Sequence, residues 1–494
     1  MRSSYQPGRW IVFRYDLEKR REPSGPRAAE FANLLGQMSS EGRRHDQPFL
    51  IGPDGRPDIR VNEFFASRRV LAMSPLTWKK YAHTLGLWLN FLIVLDRSWD
   101  SAREEDGEYF KEWRLTDGSN PRPVDGATFA GDLAALRSFY RWAARQHGVA
   151  DPVATARDFD LRPRGVRDKD IKWLDPGGYR RWRDLGLRGH DRDGRQDGGW
   201  RGRNDQRDAA FADGLYGSGL RLTEWASVLL LEMPEDDPSR GYSTCHLADA
   251  CAKGGYGHKY WLPRTALMSV FDYVEGARAT AVRGAQREGR YEKVKHQRLL
   301  LGRRGDRLTI REPDGRQSEP SVNAIGPKGR RRLFRSNPTG LEPVSLWLNE
   351  DGMPRDPHGW HHTFDTANAR IAGLGLRGFR CTPHMLRHSC ALRWYAVGRL
   401  AYEKRFAHLD EEEQRDFRVQ FGNTWDLVAT MLGHRSPETT RQHYLEPFRT
   451  LDIELLLHHA QQAAVEGFLA GYLAGHPLVL NDPLSLSDTL DRLA

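Results

Sequence analysis

A chain of 494 residues is too long for one ordinary core, because domains cluster at roughly 100 to 200 residues, so two or three domains are expected. Its 75 Lys and Arg against 66 Asp and Glu leave a net charge of +9, which favours a polyanion such as nucleic acid over a neutral partner. Four cysteines (Cys245, Cys251, Cys381, Cys390) are too few for a disulfide framework and fit no CxxC metal pattern; no apolar stretch follows the charged N-terminus and no run reaches the roughly 18 apolar residues of a membrane span, so a soluble, cytoplasmic protein without membrane contact is expected.

Residues 1–60 are rich in Arg, Pro and Gly with little periodicity and read as a largely irregular N-terminal extension without a legible role. From Ser74 the pattern sharpens. Ser74 suits an N-cap, Pro75 the first turn, and Trp78, Tyr81, Leu85, Trp88, Leu89 and Leu92 recur at helical spacing. A second helix is expected around Phe129, Leu133, Leu136, Phe139 and Tyr140, making 61–163 a small all-helical domain. The charged stretch 162–173 reads as a linker with a boundary near 165. Three charged stretches, near 186–208, 283–336 and 399–422, read as solvated insertions. STCHLADACAKGGYGHKYWLP (243–263) reads as a hairpin reversing at KGGYG. FRCTPHMLRHSCALRWYAVG (379–398) reads as a helix entered at Thr382 and Pro383 and ended by Gly398. Residues 451–474 are apolar at helical spacing, so the tail 451–494 is expected to dock on a neighbouring subunit.

Four segments carry chemistry: YGSGLRLTEWASVLLLEM (216–233), the hairpin with Lys253, TPHMLRHSCALRWYA (382–396) and LGHRSPETTRQHYLEP (432–447). Each alone is weak. Together, in this order, they resemble the tyrosine recombinases of the phage-integrase family, whose pattern is an Arg, a hairpin Lys, an HxxR, a later His and then a Tyr. The resemblance covers roughly residues 60–450. It implies a mainly α fold with a small β component: an all-helical SAM-like core-binding domain over 61–163 and a mixed α/β catalytic domain over 164–450. It assigns Arg221 as the first arginine with Glu224 in support, Lys253 as the hairpin lysine, His384 and Arg387 as HxxR, His434 as the later histidine and Tyr444, ten residues on, as the nucleophile. It further implies site-specific strand exchange through a 3′-phosphotyrosyl intermediate, without cofactor or metal. Double-stranded DNA would be the partner, with a homo-tetramer on paired sites and accessory recombinase or directionality proteins.

Elementary chemistry asks for the same residue types. Attack on a phosphodiester gathers negative charge on the nonbridging oxygens, and fixed guanidinium and imidazole donors can meet it. A tyrosine titrating near 10 needs a base or a strongly positive surrounding, and the leaving 5′ oxygen needs an acid, for which Lys253 is the candidate.

Plainer readings stand beside these. Arg221 and Glu224 can be an ordinary i, i+3 ion pair, and Lys259 shares the hairpin with Lys253. His384 and His388 have zinc spacing but Met385 stands where HExxH has its Glu. Arg330, Arg331 and Arg332 are either a solvated run or phosphate contacts. The rival functions are relaxation of supercoils by a type IB topoisomerase-like reaction, DNA binding without chemistry on the same fold, and a metal-dependent nuclease.

Overall fold

The computed structural model describes residues 8–17, 42–154, 161–162, 173–406, 408–421, 424–433 and 479–480. The chain is mainly helical with small sheets, and divides into two compact units, Met1–Lys169 and Asp170–Ala494.

The first unit holds strands β1 (Ile11–Arg14) and β2 (Pro48–Ile51) and helices α1 (Ile59–Ala66), α2 (Arg68–Leu71), α3 (Pro75–Val94), α4 (Glu104–Leu115) and α5 (Gly126–His147). Ser74 caps α3 by accepting the Thr77 N–H at 3.2 Å, and Asp125 caps α5 through Thr128. Gly148 closes α5 at φ 66, a conformation that costs a residue without Cβ least. The apolar stripes of α3 (Trp78, Leu85, Trp88, Leu89, Leu92) and α5 (Phe129, Leu133, Leu136, Phe139, Tyr140) enclose one core with Phe64, Phe65 and Phe110. Two of its polar groups are linked: Trp88 Nε1 donates to the Tyr140 hydroxyl at 2.7 Å, which donates to the Trp99 carbonyl at 2.9 Å. Buried Asp132 accepts from Arg114 at 2.8 Å and from Thr84 at 2.9 Å, so one carboxylate joins α3, α4 and α5.

The N-terminal extension differs from the irregular segment expected. β1 and β2 pair antiparallel, and the Trp10 backbone exchanges hydrogen bonds with Asn90 of α3 at 2.9 and 3.0 Å. Four-residue strands far apart in sequence leave no periodicity to read.

The second unit begins with β3 (Trp173–Leu174), α6 (Pro176–Gly186), α7 (Asp205–Ser218) and the one-turn α8 (Leu222–Trp225). There follow the hairpin β4 (Tyr242–Leu247) and β5 (His258–Pro263), in register Cys245 to Tyr260, then α9 (Arg264–Tyr273) and α10 (Ala279–Arg287). Its core gathers Trp182, Phe211, Trp225, Trp347, Trp360 and Phe364, with Phe211 and Trp360 stacked at 3.5 Å between centroids. Asp213 of α7 accepts from Tyr179 and Arg183 of α6 and Ser269 of α9 at 2.6, 3.0 and 3.1 Å, cementing three helices.

Most of the stretch expected as a solvated insertion at 283–336 is a folded layer. Strands β6 (Arg298–Arg304), β7 (Arg307–Arg311), β8 (Gln317–Ser318), β9 (Leu333–Asn337) and β10 (Gly340–Pro343), with the short α11 (Pro327–Arg330) before β9, make a five-stranded sheet ordered β10-β9-β6-β7-β8. Leu308, Ile310, Val322, Ile325 and Leu333 bury beneath it with Leu229 and Val344. Dense arginine hides this core, because its apolar residues alternate with exposed charge. The loop 187–204 is largely irregular, yet Arg370 pins it through Asp197 at 2.8 Å and over the Trp200 ring at 4.9 Å.

After α12 (Gly359–Gly373) comes α13 (Pro383–Phe406), then α14 (Glu411–Phe421) and α15 (Thr424–Leu432), so 399–422 is largely helical instead of a charged loop. Thr382 caps α13 by accepting the Met385 N–H at 3.3 Å. Gly398 does not end the helix as expected. A Cβ there would come within 2.8 Å of Thr424 and 3.0 Å of Leu427, so the glycine permits close approach of α13 to α15. In the tail, β11 (Val479–Leu480) pairs in parallel with β3 of the same chain; the apolar stretch 451–474, through which docking on a neighbour was expected, lies outside the described residues.

Candidate active site

Three separated segments converge on one buried carboxylate. Glu224, 1 % exposed on α8, accepts the backbone N–H of Arg221 at 2.8 Å, the Arg221 guanidinium at 2.9 Å and the backbone N–H of Lys253 at 3.1 Å. The side chain of Arg221 stays 31 % exposed, and Lys253 stands exposed in the turn between β4 and β5. Burial works to raise the Glu224 carboxyl, but the Arg221 charge and backbone N–H, the field of Arg387 and the Lys253 N–H outweigh it and hold the group below its ordinary value. An ionised Glu224 therefore fixes the arginine and the lysine turn relative to one another. Lys259, the other hairpin lysine, lies on β5 opposite His246 and away from the turn.

Arg387 comes from α13 and is 1 % exposed. Its guanidinium donates to the Gly219 carbonyl and, at 2.8 Å, to the Leu432 carbonyl. It thus joins the turn before Arg221 to the last turn of α15, whose next residues are Gly433 and His434. Gly219 has φ 67, and a Cβ on it would come within 2.9 Å of Leu432 and 3.0 Å of Cys390. His384 precedes Arg387 by three positions on α13 and is exposed, its ring edge-on to His388 at 4.4 Å. His388 is buried and packs against Trp173, which agrees with a packing role. His434 and Tyr444 lie outside the described residues. The structure accordingly brings Arg221, Glu224, Lys253 and Arg387 together and sets His384 on the same helix as Arg387.

Sequence reading passed over His258, the first residue of β5. Both of its ring nitrogens are buried with no hydrogen-bond partner among the described residues, and its ring lies so close to Gly433 that any Cβ there would overlap it. Burial lowers its pKa, Glu224 pulls the other way, and Arg387, Arg221 and His246 lower it further, so the site favours the neutral imidazole. Only its place five residues after Lys253 hinted at a role, and a strand histidine with none looks the same.

Arg330 was read as solvated or phosphate-bound and is neither. It is 2 % exposed, gripping Glu232 at 2.9 Å through one nitrogen and the carbonyls of Ile325, Ser227 and Val322 at 2.8 to 3.1 Å. Ile325 in turn receives the Cys251 thiol, two residues before Lys253, so the five-stranded layer braces the lysine turn. Arg331 pairs with the exposed Asp356 at 3.0 Å.

Among the described residues no group of three or more His, Cys, Asp or Glu side chains is arranged to hold a metal, and no helix is long and apolar enough to cross a membrane.

Residues 63–147 match the family model described as phage integrase, N-terminal SAM-like domain. That match identifies the segment 63–147 as similar to the N-terminal SAM-like domain of phage integrases. The matched span runs from the end of α1 through α5 and so takes in the core built by α3 and α5. No curated protein sequence matches the chain. Among solved structures it is similar to XerH site-specific recombinase bound to palindromic difH substrate in a post-cleavage complex, at 14 % identity and TM-score 0.45 over 88 % of each chain. It is also similar to the Tn1549 transposon integrase with transposon right end DNA, at 14 % identity and TM-score 0.42 over 79 % of this chain and 93 % of that one. A lambda integrase dimer bound to a COC′ core site is similar at 11 % identity and TM-score 0.42, over 80 % and 78 %.

Proposed function

We propose that this chain is a site-specific DNA recombinase that breaks and rejoins duplex DNA through a covalent bond between Tyr444 and a 3′ phosphate. The observation that carries the reading is the Glu224 clamp: one buried carboxylate fixes Arg221 and the Lys253 turn beside the field of Arg387, so cationic groups from three remote segments serve one place.

In this mechanism the Tyr444 hydroxyl oxygen attacks phosphorus and gives up its proton, for which His384 and His434 are the candidate acceptors. Arg221 and Arg387 balance the charge that builds on the nonbridging oxygens, a contribution worth on the order of a hundredfold to a thousandfold in rate per group. The bond from phosphorus to the 5′ oxygen breaks, and the Lys253 ammonium protonates the departing oxygen. A 3′-phosphotyrosyl link and a free 5′ hydroxyl result. Attack by a 5′ hydroxyl from another strand reverses the step, so rejoining needs no ATP, cofactor or metal. Strand exchange calls for a homo-tetramer on paired sites, with accessory proteins setting direction, in the cytoplasm on the nucleoid. Integration, excision and resolution share this chemistry.

The test is a nicked suicide substrate cut from the flanks of the gene, incubated in EDTA with wild type or Tyr444→Phe and run on a denaturing gel. A slower protein–DNA species present only with the tyrosine is the expected result. Specific DNA binding with no covalent species for either protein would leave binding without chemistry as the function. Relaxation of supercoils without strand exchange would instead mark the topoisomerase-like reaction.

A further inference from the structure

The hairpin β6–β7 of the five-stranded layer carries arginine charge that no ion pair among the described residues neutralises, although Arg303 donates to the Gly305 and Leu231 carbonyls and Arg307 to that of Glu319. From Arg298 to Arg311 stand five arginines and one acid, Asp306. The acids that could neutralise them are engaged elsewhere: Glu312 by Arg298 at 2.5 Å, Asp314 by Arg316 at 2.5 Å, and Asp306 by the Ser321 hydroxyl at 2.9 Å. Arg303, Arg304, Arg307 and Arg311 are exposed, and none of them forms an ion pair with a described residue. Arg304 and Arg307 sit directly opposite one another in the antiparallel register, flanking the two-residue turn Gly305–Asp306, an arrangement that like charges make unfavourable.

Alternation puts Arg304, Arg307 and Arg311 on one side, while Arg303, opposite Leu308, lies on the other. Leu308 and Ile310 are buried, so Arg307, Thr309 and Arg311 occupy the other face of β7. Arg307 and Arg311 are thereby about 13 Å apart at ~3.3 Å per residue, a span of about four base-pair steps at ~3.4 Å each. The hairpin is tied by hydrogen bonds to the Lys253 turn of the candidate active site. The Asp306 carbonyl accepts the Val322 N–H at 2.7 Å, and the turn that Val322 opens ends at Ile325, which receives the Cys251 thiol beside the Lys253 turn.

We propose that this arginine face of β6–β7 is a second double-stranded DNA contact surface, gripping backbone phosphates of duplex flanking the one held at Arg221 and Lys253. It rests on the DNA-recombinase reading above. A row of guanidiniums without base-reading partners grips phosphate irrespective of sequence, so it contributes affinity and salt dependence and little specificity.

The full-length protein and an Arg304→Gln, Arg307→Gln, Arg311→Gln variant are to be compared for binding to a mixed-sequence duplex across a salt series, with the corresponding triple Lys variant as a charge-preserving control. At about 0.9 per lost phosphate contact, the slope of log affinity against log salt should become shallower by roughly two to three in the Gln variant and recover in the Lys variant. Phosphotyrosyl yield at saturating protein should be unchanged. An unaltered slope in the Gln variant, or a slope lost equally in the Lys variant, overturns the proposal. If the wild type forms the phosphotyrosyl species while the slope stays unaltered, only the second surface fails. If the wild type binds no duplex at all, the recombinase reading falls with it.

Discussion

Glu224 concentrates several duties in one carboxylate: it closes its own helix turn, orients Arg221 and anchors the Lys253 backbone. Glu224→Gln replaces one accepting oxygen by an amide that donates toward donors. Cleavage should fall on the order of a hundredfold while duplex binding is retained, as a covalent-capture assay beside an equilibrium titration would record; equal loss of both would assign Glu224 to folding alone. The sign of its pH dependence follows from the depressed pKa. A carboxyl lowered in the folded state adds stability that is fully present above its unfolded pKa and is lost as pH falls through the folded one. Glu224→Gln should therefore narrow the gap in stability between neutral and acidic pH, read by denaturant unfolding at each. At Gly433 the constraint is steric. With φ 63 and the His258 ring against it, Gly433→Ala has both a strained backbone and an overlap to relieve, and the turn leading to His434 must shift. The expected outcome is impaired cleavage with α15 still formed, and His258→Ala in the same background should restore part of the rate by vacating the space. No restoration would count against the contact as the cause.

Helices and strands here are tied by buried charge where apolar packing alone would leave their relative placement loose. Asp132 bridges α3, α4 and α5, and Asp132→Ala strands the Arg114 charge, which should cost about 3–5 kcal/mol in unfolding free energy. Arg330→Met strands Glu232 in the same way, at a similar cost of about 3–5 kcal/mol, and should also slow cleavage by loosening the brace behind Cys251 and Lys253. A loss of stability with cleavage unaltered would separate the five-stranded layer from the chemistry. The elements easiest to anticipate were those whose signals are local. Ser74 and Pro75 mark the start of α3, its apolar stripe marks the buried face, and KGGYG marks the reversal between β4 and β5. The layer over β6–β10 was hidden because its core residues are scattered among arginines and its strand order joins β6 to β9 across a long connection. Gly398 misled because a helix-ending glycine and a glycine at a helix crossing look alike in one dimension. Within the site, the motif spacing pointed to Arg221, Lys253, His384 and Arg387, whereas His258 and the brace from Arg330 depend on contacts that only three dimensions supply.

At the scale of the whole chain, the first unit owns a complete aromatic core from Leu50 to Leu161. Met1–Lys169 expressed alone should therefore unfold cooperatively in denaturant, and a broad, non-cooperative transition would mean that its core depends on the rest of the chain. The charge of the molecule is also unevenly spent, for many arginines are consumed internally, as Arg114, Arg207, Arg278 and Arg330 are, leaving the exposed ones to decide what the surface attracts. The five-stranded layer carries one more consequence, which lies at its margins. It terminates on one side in the two-residue β8 and on the other in β10, a four-residue strand ending in Pro343. Short edges, one of them closed by a residue without an N–H, give other chains little to pair with. A sheet of this kind can be added to a larger domain, and exposed in every folding cycle, with little tendency to draw copies into aggregates. Lengthening β8 by even a few strand-forming residues should make the protein associate through that edge.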